Sequence, residues 1–233
     1  MADCNPAQYP MEPKLQVMKD EEGIAVDETK YISIIGSLRY LVHTRPDLSY
    51  SVGVMSRFMA SPKESHYKAV RQILRYVKGT TSYGLFYRRG GDGKLLGYSD
   101  SSYDMDRSDG KGTTGMAFYY SGNLITWCSA KQRTVVLSSC ESEFMATASA
   151  ACQAIWLRNL LVDVTGRKAD CVKLLVDNKS AITLMRNSVF HRRSKHIDTR
   201  FHFIRECIEE GKVLVEHVSG EKQVADMLTK ALP

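Results

Sequence analysis

Four residues, Gly90, Gly91, Asp92 and Gly93, divide this chain into two parts that cannot be built the same way. Before them, apolar residues recur at helical spacing. After them, apolar residues come in short runs bounded by turn-forming residues, the pattern of strands, with helical stretches between. A chain with this switch should fold as a helical unit followed by a mixed α/β unit. At 233 residues it has the length for one large domain or two smaller ones.

Residues 1–28 contain Pro6, Pro10, Pro13 and the acidic group Asp20, Glu21, Glu22 without a sustained period, and are expected to form an extended arm. A helical module is expected over 29–89. Its first helix, 29–43, carries Tyr31, Ile34, Ile35 and Leu38 on one stripe. A second begins at Pro46 and runs to about residue 60. The third has Ser61 as N-cap, Pro62 at the first helical position and Glu64 as capping-box partner, and it ends at Gly79. Lys68, Arg71, Arg75 and Lys78 share its outer side and suit either a solvated face or contacts to phosphates.

Over 93–233 the pattern predicts strands at 94–99, 113–120 and 124–129, a long helix at 139–162 and a strand at 172–176. Short helices at 180–186 and 197–210, a strand at 212–218 and a closing helix from about Gln223 complete it. The order βββαβααβα implies an α/β fold around a mixed five-stranded sheet, its first three strands antiparallel and the later ones reached by helical crossovers.

Composition narrows the function. The chain is 43% hydrophobic and 25% charged, which excludes a disordered polymer. Its net charge of +6 permits a polyanionic partner without demanding one. None of the six cysteines falls in a CxxC pair, and no apolar run approaches the ~18 residues of a membrane span. The expectation is an intracellular protein, cytoplasmic or nuclear, with reduced thiols and no membrane partner.

Four acids occupy positions where structure alone rarely puts them. Asp100 follows the apolar run Leu95, Leu96, Gly97, Tyr98, Ser99, and Asp177 follows Leu174, Leu175, Val176. Ligand sites form beyond the ends of central strands, so two strand-ending acids would stand side by side at one rim. Glu143 lies early in the long helix, and Asp226 lies among Val224, Ala225, Met227 and Leu228. A carboxylate pair about 4 to 5 Å apart repels by roughly 3 to 4 kcal/mol at an effective dielectric near 20. Such a cluster needs cations, and hard oxygen ligands suit Mg²⁺ or Mn²⁺. Glu141 competes with Glu143: the two are about 200° apart on a helix and cannot face one cluster together. Glu141 stands three residues after Ser138, the spacing of a capping box.

The runs Tyr98-Ser99-Asp100, Ile125-Thr126-Trp127, Lys131-Gln132-Arg133-Thr134 and Leu137-Ser138-Ser139-Cys140-Glu141-Ser142-Glu143-Phe144 resemble the ribonuclease H domain of copia-type retrotransposon polyproteins. So do Leu175-Val176-Asp177-Asn178-Lys179-Ser180-Ala181, Ser194-Lys195-His196-Ile197-Asp198 and Gln223-Val224-Ala225-Asp226-Met227-Leu228-Thr229-Lys230. Upstream, Ile35-Gly36-Ser37-Leu38-Arg39-Tyr40-Leu41 and Thr44-Arg45-Pro46-Asp47-Leu48 look like the thumb or connection segment joining the reverse transcriptase to that domain. The resemblance implies a ribonuclease H-like fold and hydrolysis of the RNA strand of RNA·DNA hybrids. It implies two Mg²⁺ ions held by Asp100, Glu143, Asp177 and Asp226, with Mn²⁺ as a substitute. It favours Glu143 over Glu141, and it makes the chain the end of a larger polyprotein whose polymerase is a further partner.

Ser101, Ser102 and Asn178, beside the expected metal acids, are candidates to contact the RNA 2′-hydroxyl. Arg192, Arg193 and Lys195 form the densest basic patch, suited to a hydrated surface or to the DNA strand's phosphates. The family's loop histidine has no counterpart in 219–223, and His217 lies within a strand and is read as structural. Tyr103, Asp104, Met105 and Asp106 are less usual for the family and are expected to form a solvated turn. No YxDD-type pair occurs, so no polymerase palm is encoded here. Two rivals remain: a catalytically silent nucleic-acid- or protein-binding module, and a transposase or integrase of the same fold superfamily, which gives no role to Asp226.

Overall fold

The structure is a computed structural model describing residues 4–13, 15, 17–106, 109–168, 170–186 and 195–231. Its first helix, α1 (Glu28–Leu41), is capped by Asp27, whose side chain accepts from the Lys30 N–H. Tyr31, Ile35 and Leu38 form its buried face, and the Tyr31 hydroxyl donates to the Met55 carbonyl at 2.9 Å.

The single helix expected from Pro46 to about 60 is broken. A 3₁₀ turn (Pro46–Leu48), α2 (Ser49–Met55) and another 3₁₀ turn (Ser56–Phe58) take its place. Serines, β-branched valines and Gly53 are poor helix formers, and Ser51 and Ser56 bond back to the Leu48 and Val52 carbonyls. Helix α3 (Glu64–Gly79) starts later than Ser61 and Pro62 suggest. Lys63 is its N-cap, and the reciprocal contact comes from His66, whose Nδ1 accepts from the Lys63 N–H at 3.1 Å. Nε2 of the same buried ring meets the Met18 carbonyl at 2.8 Å.

The outer side of α3 is neither wholly solvated nor wholly open to phosphates. Arg75 Nε donates to the Asn5 carbonyl at 2.7 Å and Lys78 Nζ to the Cys4 carbonyl at 2.8 Å. Gln72 donates to the Tyr9 carbonyl. The N-terminal segment is thereby laid along α3, and Met11 is buried in the helical core with Tyr31, Ile35, Leu48, Met55 and Ile73.

Five strands form one sheet: β1 (Leu95–Asp106), β2 (Lys111–Tyr120), β3 (Asn123–Lys131), β4 (Val172–Val176) and β5 (Val213–His217). Their spatial order is β3-β2-β1-β4-β5, with β1 to β3 antiparallel and β4 and β5 added parallel to β1. Helix α4 (Ser139–Thr165) lies on β1, β2 and β4 and also packs against α5 (Lys179–Arg186) and α6 (Lys195–Glu209). Phe118, Phe144, Leu174, Met185, Phe201 and Ile204 fill the core. The Ser138 hydroxyl accepts from the Glu141 N–H, and Glu141 accepts at 2.7 Å from the N–H of Leu137, one residue before the N-cap, a capping box shifted by one position.

Three further expectations are corrected. Strand β1 does not end at Asp100; it continues to Asp106, because Ser101 and Ser102 pair with Thr114 and Thr113, and Asp106 with Lys111. The stretch 103–106 is therefore strand, not a turn. The closing helix is instead a pair of 3₁₀ turns, Gly220–Lys222 and Val224–Leu228. Backbone bonds there run mainly to the third residue back, as from Asp226 to Gln223 and from Thr229 to Asp226.

The helical module docks on the sheet. Helix α2 touches β3 and the last 3₁₀ turn, Ala231 packs into the helical core, and Arg57 Nη2 reaches Thr113 Oγ1 at 3.5 Å. Among the described residues, no helix is long and apolar enough to cross a membrane.

Candidate active site

Strand register explains why two distant acids meet. Strands β1 and β4 run parallel with Tyr98 opposite Leu175, so the residues two further along each chain, Asp100 and Asp177, lie side by side. Strand β4 stops at Val176, which opens the rim at that point. The third acid arrives from the N-terminal part of α4. That part is pinned to β1 by the Ser142 hydroxyl donating to the Ser102 carbonyl at 3.3 Å, and to β2 through Gln132, which donates to the Ser142 carbonyl at 3.1 Å and to Thr114 Oγ1 at 3.2 Å. Oxygens of Asp100, Glu143 and Asp177 all lie within 4.8 Å of one another.

Burial makes this cluster electrostatically expensive. Glu143 is 5% exposed and Asp100 4%. Burial first, then the charges of Asp100 and Asp177, raise the Glu143 pKa to about 9, against which two Ser101 bonds work. The Ser101 N–H and hydroxyl both donate to Glu143 Oε1, at 2.9 and 3.0 Å, while Oε2 is buried without a hydrogen-bond partner. Asp100 is raised to about 6, chiefly by burial and then by Asp226 and Asp177, with a hydrogen bond from the Thr229 hydroxyl opposing. Asp177 is raised as well, by burial and by Asp226.

Asp226 is not among the three mutually clustered acids. Its Oδ2 stands 2.7 Å from the Lys230 ammonium, and its Oδ1 is buried without a hydrogen-bond partner. Its charge nevertheless reaches Asp100 and Asp177. The segment carrying it lies over Gly115, which pairs with Asp100 across the ladder. A Cβ at Gly115 would stand 2.8 Å from the Ala225 carbonyl and 2.9 Å from Leu228 Cβ, so only glycine admits this approach. Gln223 anchors the same segment by donating to the Ser99 carbonyl at 2.9 Å.

The remaining candidates are placed unequally. Ser101 is held by Glu143, and the Ser102 hydroxyl accepts from the Thr113 N–H at 2.9 Å. Asn178 caps α5, its Oδ1 accepting from the Ala181 N–H at 3.0 Å. Arg192 and Arg193 lie outside the described residues; Lys195 opens α6, and its side chain is outside them too. Glu141 stays at its capping box. His217, exposed at the end of β5 opposite Val176, is near enough to Asp177 for its charge to lower that pKa.

A retrovirus-related Pol polyprotein from transposon RE1 of Arabidopsis thaliana is 39% identical over 232 residues, covering 100% of this chain. The Pol polyprotein of transposon TNT 1-94 from Nicotiana tabacum is 38% identical over 240 residues, again covering 100% of this chain. The chain belongs to the copia-type retrotransposon Pol family. This copia-type Pol segment spans 16% of the RE1 polyprotein and 18% of the TNT 1-94 polyprotein. No protein-family model matches it. The foamy viral protease-reverse transcriptase in complex with RNA/DNA hybrid superposes with a TM-score of 0.57 over 90% of this chain and 27% of that one, at 14% identity. A likeness at that identity is one of fold. The α/β part of the copia-type segment has a ribonuclease H-like fold.

Sequence reasoning missed Thr229, Lys230 and Gly115. The first two sit inside the run that carries the family resemblance, but nothing local says that one holds Asp100 and the other Asp226. Gly115 gives no signal beyond being a glycine in a strand.

Proposed function

We propose that this segment is an endoribonuclease that hydrolyses the RNA strand of RNA·DNA hybrids, using two Mg²⁺ ions, or Mn²⁺ in their place, held by Asp100, Glu143, Asp177 and Asp226. The observation that carries the reading is the convergence of carboxylates from β1, α4 and the end of β4 within 4.8 Å. The donor set fits hard divalent ions. Every donor is a carboxylate oxygen, and two of them, Glu143 Oε2 and Asp226 Oδ1, are buried with no hydrogen bond to satisfy them. Divalent ions bound there supply an activated water and stabilise the leaving oxygen of phosphodiester cleavage.

The chain's own residues set the geometry. Ser101 holds one oxygen of Glu143 and leaves the other toward the site, and Thr229 fixes Asp100 Oδ2. Asn178 fixes the turn that follows Asp177. The Ser101 hydroxyl already donates to Glu143 and would meet the RNA 2′-hydroxyl as an acceptor, whereas the Ser102 oxygen accepts from the Thr113 N–H and its O–H can still donate. Arg192, Arg193 and Lys195 are assigned to phosphates of the DNA strand. The polymerase part of a Pol polyprotein is assigned as a further partner.

A labelled hybrid incubated with the protein and Mg²⁺ tests the reading. RNA fragments with 3′-hydroxyl and 5′-phosphate ends should form and should vanish with Asp177→Asn; absence of cutting by the wild type refutes it. The Lys230–Asp226 ion pair favours the rival, a silent nucleic-acid- or protein-binding module, since a lysine already neutralises one expected ligand. Retained hybrid binding without fragments is that rival's result.

A further inference from the structure

Five charged groups meet where the last 3₁₀ turn crosses the sheet: Asp100, Glu143, Asp177, Asp226 and Lys230. Lys230 is the cation. Its Nζ stands 2.7 Å from Asp226 Oδ2, four residues back along the chain, and it also feels Asp100 and Asp177. Burial works against the ammonium, yet the bond to Asp226 and the three carboxylate charges outweigh it and raise its pKa. The other Asp226 oxygen, Oδ1, remains buried and unsatisfied, as does Glu143 Oε2. Lys230 therefore satisfies half of one carboxylate at the edge of the cluster and leaves the interior donors open.

We propose that Lys230 is the built-in counter-ion of this site in its metal-free state, and that a divalent ion binds at Asp226 only by displacing the lysine ammonium. The inference rests on the metal-site reading above and deepens it. A lysine suits the task because its ammonium is a compact point charge on a flexible stem. Its side chain is 43% exposed, whereas Asp226 is 18% exposed, so the ammonium can swing to water while the carboxylate stays. A divalent ion brings twice the charge and can take up both Asp226 oxygens, one of which the lysine leaves unserved. The device lets the domain fold before it is loaded and sets a threshold of metal concentration for completing the site.

The test uses the full chain, stripped with chelator. Mn²⁺ binding is measured by calorimetry, and thermal unfolding is followed with and without MnCl₂, for wild type, Lys230→Met and Lys230→Arg. Lys230→Met should unfold at a lower temperature than wild type without metal. Its weakest Mn²⁺ site should tighten about two- to fivefold, the range expected for removing a partly exposed ion pair. Lys230→Arg, which keeps the charge, should track wild type in metal-free stability. In an Asp226→Asn background, Lys230→Met should change both quantities less than it does in the wild-type background, the remainder coming from Asp100 and Asp177, and this comparison holds even if the single variant is marginally stable. Equal Mn²⁺ affinity in wild type and Lys230→Met, or weaker affinity in the variant, overturns the counter-ion role and leaves the metal site standing. Absence of Mn²⁺ binding in every protein, or binding indifferent to Asp177→Asn, overturns the metal site and the counter-ion with it.

Discussion

Replacing Glu143 by glutamine should make the metal-free protein more stable at pH 7.5, although it weakens the two hydrogen bonds that Ser101 donates to this buried side chain. The carboxyl ionises near pH 4.5 in an unfolded chain and only near pH 9 in the fold. At pH 7.5 folding must therefore place a proton on it across about three decades of proton activity, a cost of about 4 kcal/mol at roughly 1.4 kcal/mol per decade. Glutamine has nearly the same shape and carries no such cost. Its carbonyl can still accept from the Ser101 N–H and hydroxyl, which now lie 2.9 and 3.0 Å from Oε1. Its amide would take the place of Oε2, now without a hydrogen-bond partner, in a cluster where Asp100 and Asp177 each have an oxygen within 4.8 Å of a Glu143 oxygen. Ordering the buried amide and weakening the Ser101 bonds offset about half the gain, leaving roughly 2 kcal/mol. For a chain of this length that corresponds to a rise in Tm of about 4 to 8 °C. Differential scanning calorimetry in EDTA at pH 7.5 measures it, and the same scans in MnCl₂ should show a smaller metal-induced rise for the variant than for wild type. A fall in metal-free Tm would refute the reasoning, because it would mean that the ionised carboxylate is a structural hydrogen-bond acceptor and not a strained metal ligand.

The same physics gives a pH dependence. Asp100 and Glu143 have folded pKa values raised to about 6 and about 9, so folding takes up protons above the ordinary carboxylate range. Their contribution is full below pH 4 and lost as the pH rises through 6 and then 9, so metal-free Tm should fall between pH 5 and 9; a flat profile would contradict the cluster's burial. Gly115→Ala should push the Ala225–Thr229 segment off the sheet, since its Cβ would meet the Ala225 carbonyl at 2.8 Å, costing about 1 to 3 kcal/mol and weakening Mn²⁺ affinity. Unaltered stability and affinity in that variant would show that the segment has room to move. The double variant Arg75→Ala, Lys78→Ala should release the N-terminal segment, seen as faster proteolysis before Met11 with little change in hybrid binding; a large loss of binding would restore these side chains to a phosphate-contacting face.

Much was legible because it is local. The Ser138 and Glu141 capping box, the Gly79 and Gly211 helix ends and the five apolar strand runs each depend on residues a few positions apart, and local spacing encodes them. Helix geometry shows only that Glu141 and Glu143, two residues apart, cannot face one cluster together; the family resemblance of the run Ser142-Glu143-Phe144 is what favours Glu143. Thr147, Ala150, Ala154 and Leu157, on the Glu143 side of α4, are buried; so are Met145 and Ala148 on another side, where Cys152 is exposed.

What the chain's order of residues could not state is register and pairing. Asp100 looked like the end of a strand because the apolar run stops there. The strand continues because Ser101 and Ser102 find partners in β2, a contact decided across a hairpin and not along the chain. Asp100 meets Asp177 through the offset at which β4 docks on β1, and Asp226 meets Lys230 instead of the cluster because of how the last 3₁₀ turn settles over Gly115. Likewise Arg75 and Lys78 read as an open basic face until the N-terminal segment folds back onto them. Sequence alone determined which side chains are available and on which elements. The tertiary structure decided which charge neutralises which, since Coulomb energy depends on separation and burial, and both are set only when distant elements pack.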